Sequence, residues 1–370
     1  MRLATYSLLL FCAIASGARA EVPDLRAWIG QMILLGFLGA DARDGWMPQV
    51  LEQLEQGRIG GVLFLKGNIA SRRAVLRMNR AIARAARNGP PPLIAIDQEG
   101  GRVERLTRRV GFTELPSASQ IARRHEPARA RQRYADMAGQ LRQWGFNLNL
   151  GPVVDLNVNP ANPVIGRPGR AYSADPDTVA RYAAAFVEAH REHGMLTALK
   201  HFPGHGSSTA DSHDTLPDIS ATWSRTELKP YRILIRDKQA DMIMTGHLVN
   251  AQLQPAGKVP ATMSQAVIEG VLRGELGYDG VVISDDLQMD GVADRFDLKA
   301  RVLGAVNAGT DILIFANDRH PDRHIVEKVT DILAEAAAQD EALAARIERS
   351  WRRIVALKER LGSGISGAGE

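Results

Sequence analysis

Cysteine is nearly absent from this chain. Of its 370 residues only Cys12 is one, and it falls in a segment that reads as a cleaved leader. The mature chain then holds no cysteine, which excludes disulfides, thiolate metal sites and a cysteine nucleophile. A surplus of one charge is lacking too. Without the first 20 residues, which carry Arg2 and Arg19 and no acid, 44 basic residues face 42 acidic ones, too even a balance to indicate nucleic acid or an anionic membrane as partner. The Arg-rich run 123–133 includes Glu126 within a helix-like stretch, so it reads as a solvated helix face. The N-terminal apolar run, Leu8–Ala15, is shorter than the ~20 residues that a membrane span needs. Preceded by a basic start and followed by Ala18-Arg19-Ala20, it reads as a secretory signal peptide over residues 1–20. The mature chain, 21–370, is expected in the periplasm and off the membrane; a cytoplasmic location is the alternative.

Two further absences bear on architecture. No Gly/Ser-rich linker divides the chain, and no glycine-rich dinucleotide fingerprint follows the first apolar run, which disfavours two domains and a doubly wound nucleotide fold. What is present is alternation. Eight short Val/Ile/Leu-rich runs, at 33–39, 59–65, 93–97, 147–156, 196–202, 241–247, 280–285 and 311–316, read as strands. Helix-like stretches lie between them at 71–87, 118–144, 176–193, 225–239, 263–275 and 298–308, with a helical tail over 324–361. Eight β/α units predict an α/β chain folded as one (β/α)₈ TIM-like barrel with a long C-terminal helical segment. In such a barrel the catalytic groups stand where strands end. Polar residues close six of these strands: DQEGGR, NVNPANPVIGRPGR, KHFPGHG, GH, SDD and ND, which points to a binding pocket.

In IAIDQEGGRVERL (94–106) a strand ends in Asp97 and Glu99, turns on two glycines and presents Arg102 and Arg105. A carboxylate beside a guanidinium can hold vicinal sugar hydroxyls, one accepting and the other donating, or the two can simply pair with each other. GVVISDDLQMDG (280–291) drives a buried strand into Asp285 and Asp286. Adjacent strand residues point to opposite sides, so one of the two is expected to face the mouth, Asp285, and the other to brace or cap. The facing carboxylate suits a nucleophile for acetal chemistry, a general base or a metal ligand. In LKHFPGHGSSTADSHDTLP (199–217), Lys200 and His201 come straight off a strand while Pro203, Gly204 and Gly206 forbid a helix. His201 and His205 therefore do not form a helical metal pair. A metal site drawn from His201, His205, Asp211, His213 and Asp214 remains the alternative, although ligands spread over a Gly/Ser-rich loop are poorly preorganised. Asp211 and His213, two apart in an extended turn, suit an acid/base pair in which the carboxylate fixes the imidazole tautomer.

With IDQEGGRVERL, KHFPGHG, DSH and SDDLQM in this order, and NPVIG, RAYSADP, ELKPYR and the run 260–291 in support, the chain resembles the β-N-acetylglucosaminidases of glycoside hydrolase family 3. The similarity spans residues 25–362. It implies a family 3 N-terminal-type catalytic barrel over 21–370 that performs retaining, metal-free and cofactor-free hydrolysis of terminal β-linked N-acetylglucosamine. By the resemblance Asp285 is the nucleophile, His213 the acid/base with Asp211 as its partner, and Asp97, Arg105, Arg170, Lys200 and His201 hold the sugar. RPG lengthens the segment before RAYS, so Arg170 is the better match and Arg167 the alternative. The implied substrates are peptidoglycan fragments or chitooligosaccharides, acted on by a monomer. A metal-dependent barrel hydrolase and an inactive sugar-binding barrel are the competing classes.

Overall fold

The computed structural model describes residues 25–255 and 257–362; the segment 1–20, expected to be a signal peptide, lies outside them. Strands β1 (Ile33–Gly36), β2 (Gly61–Phe64), β3 (Leu93–Ile96), β4 (Leu148–Asn149), β5 (Leu196–Phe202), β6 (Met242–Thr245), β7 (Val281–Asp286) and β8 (Ile312–Phe315) pair in parallel, in sequence order, and β8 returns to β1 to close the barrel. All eight expected strands are present. Their residues are buried on both faces except at the end of β7, which is why they read as continuous apolar runs rather than alternating ones. The fourth strand is much shorter than the expected 147–156. Pro152 has no N–H for the ladder, and the chain regains a single parallel bridge, Val153 with Lys200.

The helices follow their caps and breakers. They are α1 (Leu25–Gln31), α2 (Met47–Glu55), α3 (Arg72–Ala85), α4 (Ala118–Arg124), α5 (Pro127–Gln143), α6 (Pro176–Glu192), α7 (Lys229–Arg236), α8 (Asp290–Ala293), α9 (Leu298–Ala308), α10 (Ile325–Ala337) and α11 (Glu341–Gly362), with a π-helical segment at Ala266–Glu275. Ser71, Asp175 and Asp297 cap α3, α6 and α9 by accepting an N–H three residues on. The stretch expected as one helix over 118–144 is two, because Pro127 disfavours helical backbone at the residue before it and starts a new helix instead. The tail likewise divides where Asp340 accepts the N–H groups of Ala342 and Leu343.

The second half of that tail closes the base of the barrel. Trp351 on α11 stacks on Trp28 of α1, ring centroids 5.6 Å apart. Lys358, fully buried, donates to Gln31 Oε1 at 2.7 Å and to the Gly60 carbonyl at 2.6 Å. Gln31 and Gly60 precede β1 and β2, so α11 seals the ends where strands begin and leaves the other end for the site.

Candidate active site

At the strand ends a cavity of about 230 Å³ opens. Leu63, Met244 and Ile314 contribute apolar wall, and Asp97, Arg105, Arg170, Lys200, His201, His213 and Asp285 all line it. Seven of the eight residues singled out by sequence thus share one cavity, and the eighth, Asp211, is bonded to His213.

One wall is an ion network. Lys200 Nζ lies 2.8 Å from Asp97 Oδ1 and 2.8 Å from Glu99 Oε1. Arg105 Nη2 donates to Asp97 Oδ2 at 3.0 Å. Arg170 grips Glu99 through Nε and Nη2, at 2.9 and 2.8 Å. Burial opposes ionisation of both carboxyls, but the cations outweigh it: Asp97 is held well below the usual carboxylate range by Lys200 and Arg105, and Glu99 falls to about 2 beside Arg170 and Lys200. Lys200 is in turn kept charged, its burial offset by the same two acids. Arg170 is buried in the cavity wall, whereas Arg167 is exposed outside it.

Behind His201 stands Asp155. Its Oδ2 accepts from His201 Nδ1 at 2.7 Å, while Oδ1 takes the backbone N–H of His201 at 3.1 Å and of His205 at 2.7 Å. The imidazole is thereby fixed with Nε2 toward Arg170, 3.5 Å away.

On the opposite wall β7 brings both aspartates to the cavity lining, Asp285 open to it and Asp286 bonded to a neighbouring loop, the division of roles that the sequence led one to expect. Asp286 braces the neighbouring loop, its Oδ1 accepting from the Gln288 and Ala316 N–H groups at 3.0 Å each. Burial and the Asp285 charge push its pKa up to about 6 despite those bonds. For Asp285 burial also opposes ionisation, but His201, His247 and His213 overcome it and lower its pKa. Its carboxylate accepts the Asp286 N–H at 2.9 Å and otherwise faces the cavity.

Residues 203–216 form neither helix nor strand. Within them Asp211 Oδ1 accepts from both the backbone N–H and the ring Nδ1 of His213, at 2.8 and 2.7 Å. This fixes the tautomer and leaves Nε2 as the ring nitrogen for proton exchange. His213 is half exposed at the rim. The five residues of the alternative metal site do not converge: His201 is committed to Asp155, and His205 to Ser212 at 3.0 Å. Among the described residues no group of three or more His, Cys, Asp or Glu side chains is arranged to hold a metal ion.

Sequence reasoning missed Glu99 as a buried partner of Arg170, Asp155, and the rim residues Asp318 and Arg319. Glu99 stood in view within DQEGG and Asp155 at the end of an apolar run; nothing local announced their partners.

Residues 25–357 match the glycosyl hydrolase family 3 N-terminal domain, and the chain belongs to that family of glycoside hydrolases. It is similar to a β-hexosaminidase of Alkalilimnicola ehrlichii, 40% identical over 72% of this chain and 75% of that protein. It is also similar to β-hexosaminidase A of Pseudoalteromonas piscicida, 32% identical over 95% of this chain, and here it spans 64% of the relative's length. A solved family 3 β-N-acetylglucosaminidase from a Paenibacillus species superposes with a TM-score of 0.84 at 33% identity, covering 94% of this chain and 64% of the other.

Proposed function

We propose that the protein is a retaining, exo-acting β-N-acetylhexosaminidase that removes terminal β-linked N-acetylglucosamine from peptidoglycan fragments or chitooligosaccharides. The observation that carries this reading is a single small cavity facing which stand one lightly bonded carboxylate, Asp285, and one tautomer-fixed imidazole, His213. Its volume, about 230 Å³, falls below the roughly 300–1,000 Å³ of ordinary ligand pockets and suits one terminal ring rather than a chain threaded through. The hexosaminidase names of the relatives agree.

In the first step an Asp285 carboxylate oxygen attacks the anomeric carbon as His213 Nε2–H protonates the leaving glycosidic oxygen. The bond to the aglycone breaks and an ester to Asp285 forms. In the second, His213 takes a proton from water, whose oxygen displaces Asp285 from the same carbon, so that the two inversions give retention. The low proton affinity of Asp285 keeps it anionic for attack. Asp211 compensates the imidazolium charge when His213 is protonated. Asp97, Arg105, Lys200, Arg170 and His201 hold the sugar hydroxyls and acetamide in a preorganised network.

The test is release of aryl alcohol from an aryl β-N-acetylglucosaminide and from the matching β-glucoside. The first is cleaved and the second is not, and Asp285→Ala abolishes the first; equal activity of that variant would refute the reading. Export to the periplasm belongs to the same proposal and is checked by N-terminal sequencing of the exported protein, which begins at Glu21. Light scattering checks that the enzyme acts as a monomer.

A further inference from the structure

Ser212 sits between the two members of the proton-transfer pair, and its burial is opposite to theirs. Asp211 and His213 keep 34% and 50% of their side chains exposed, whereas Ser212 is 2% exposed. Its hydroxyl meets His205 Nε2 at 3.0 Å. His205, itself 1% exposed, is held from three sides. Its N–H donates to Asp155 Oδ1 at 2.7 Å, its carbonyl accepts from Asn162 Nδ2 at 2.8 Å, and the N–H of the next residue, Gly206, donates to buried Glu227 at 3.0 Å.

The same Asp155 carboxylate fixes His201. A continuous run of buried hydrogen bonds, His201 to Asp155 to His205 to Ser212, therefore joins the floor of the sugar site to the middle of the loop that carries His213. Close packing supports the same placement: a Cβ at Gly291 on α8 would collide with the Thr215 carbonyl oxygen and lie 2.6 Å from that of Ser212, so the loop rests directly on that backbone. Burial, with His201 adding like charge, lowers the His205 pKa to about 4. The ring is neutral at working pH and its bond to Ser212 is not screened by salt.

We propose that His205 and Ser212 are positioning residues whose hydrogen bond holds the Asp211–His213 pair at the height of the leaving oxygen of a sugar seated on His201 and Lys200. The inference rests on His213 being the acid/base, and the experiment separates the two. It compares kcat/KM for phenyl and 2,4-dinitrophenyl β-N-acetylglucosaminides, because phenolate departs only with a proton delivered while dinitrophenolate departs without one.

Ser212→Ala lowers kcat/KM for the phenyl glycoside by about tenfold or more and for the dinitrophenyl glycoside by less than about threefold. His205→Leu, which breaks the same bond from the other side, reproduces that selectivity. His205→Gln, whose side-chain nitrogen reaches the place of Nε2, restores the phenyl rate to within about threefold of wild type. An equal loss on both substrates, or no loss on either, overturns the proposal. His213→Ala distinguishes the underlying reading. If it is selective and Ser212→Ala is not, the latch falls and the acid/base assignment stands; if it is not selective, both fall.

Discussion

The barrel buries carboxylates at both of its ends, and the two sets live in different company. At the base, Asp311 precedes β8 and is fully buried. Its oxygens accept from Arg346 Nη2 at 2.9 Å, Ser350 Oγ at 2.8 Å, Arg273 Nη2 at 2.9 Å and the Val282 N–H at 2.9 Å. Asp241, preceding β6, is similarly saturated by Arg191, Thr197 and Arg360. At the mouth, Asp285 accepts one backbone N–H and turns the rest of its lone pairs to the cavity. A carboxylate whose acceptors are all occupied can only staple elements together, whereas one left open can react. Strand starts and strand ends thus divide stability from chemistry.

The sharpest way to break this comparison is to truncate one residue from each end. Asp285→Ala lowers kcat/KM by about 10⁴-fold or more at a small cost in melting temperature, since the histidines around Asp285 lower its pKa and so make its charge modestly stabilising. Asp311→Ala leaves the Arg346 side chain, 7% exposed, without its carboxylate partner and that of Arg273, 9% exposed, with Glu269 alone, and costs about 3–5 kcal/mol of stability. Denaturant melts of the two variants check the pair. Equal destabilisation would mean that Asp285 is another staple.

Within the mouth the comparison continues between grip and delivery. Lys200→Met takes from Asp97 and Glu99 the cation they share and leaves each with one arginine, so it loses activity together with about 1.5–3 kcal/mol of stability. His213→Ala, on a half-exposed side chain, costs about 10²–10⁴ in kcat/KM for a poor leaving group and little in melting temperature. Steady-state kinetics paired with calorimetry on both variants reads the split.

Glu227 gives a smaller effect with a defined pH window. Burial, with Asp155 adding repulsion, raises its carboxyl from 4.5 to about 7, against the bonds from Ser207 and the Gly206 N–H. A folded-state pKa above the unfolded one favours the protonated form on folding. Its contribution is fully present below pH 4.5 and lost as pH rises through 7. Across that window the wild type loses about 3 kcal/mol relative to Glu227→Gln, whose side chain stays neutral. Urea melts at several pH values follow the difference, and parallel curves would contradict it.

How much of this was legible in the sequence depends on the range of each contact. All eight strands and the residues standing at their ends, Asp97, Lys200, His201 and Asp285, could be read because an apolar run stops there and a polar residue begins. Asp211 and His213 could be paired because two residues of extended turn bring them together. The partners behind them could not: Glu99 meets Arg170 across 71 residues and Asp155 meets His201 across 46, distances over which no periodicity carries information. Asp286 could be read as the bracing member of its pair because neighbouring strand residues part company, and its bonds to the Gln288 and Ala316 N–H groups are that brace. His205 had no assignable role until its neighbour across seven residues, Ser212, was seen to be buried.

The smallest effect concerns the outer edge of the same loop. Arg319, after β8, reaches Asp214 at 2.9 Å and Asp290 at 2.6 Å, and its Nη1 lies 3.4 Å from the His213 carbonyl oxygen. Arg319 and Asp214 keep 46% and 60% of their side chains exposed, so this end of the loop is held through solvent-screened charge, whereas Ser212 is held by a neutral buried bond. Exposed pairs of this kind contribute about 0.2–1 kcal/mol. Arg319→Gln therefore lowers kcat/KM by no more than about fivefold at low salt, and the gap to wild type closes as ionic strength rises past the point where the Debye length falls below about 10 Å. The Ser212→Ala defect does not close under the same titration. If salt erases both, the loop is held by its charged rim and not by its buried centre; if it erases neither, Arg319 contacts the substrate and its pairing with Asp214 is incidental.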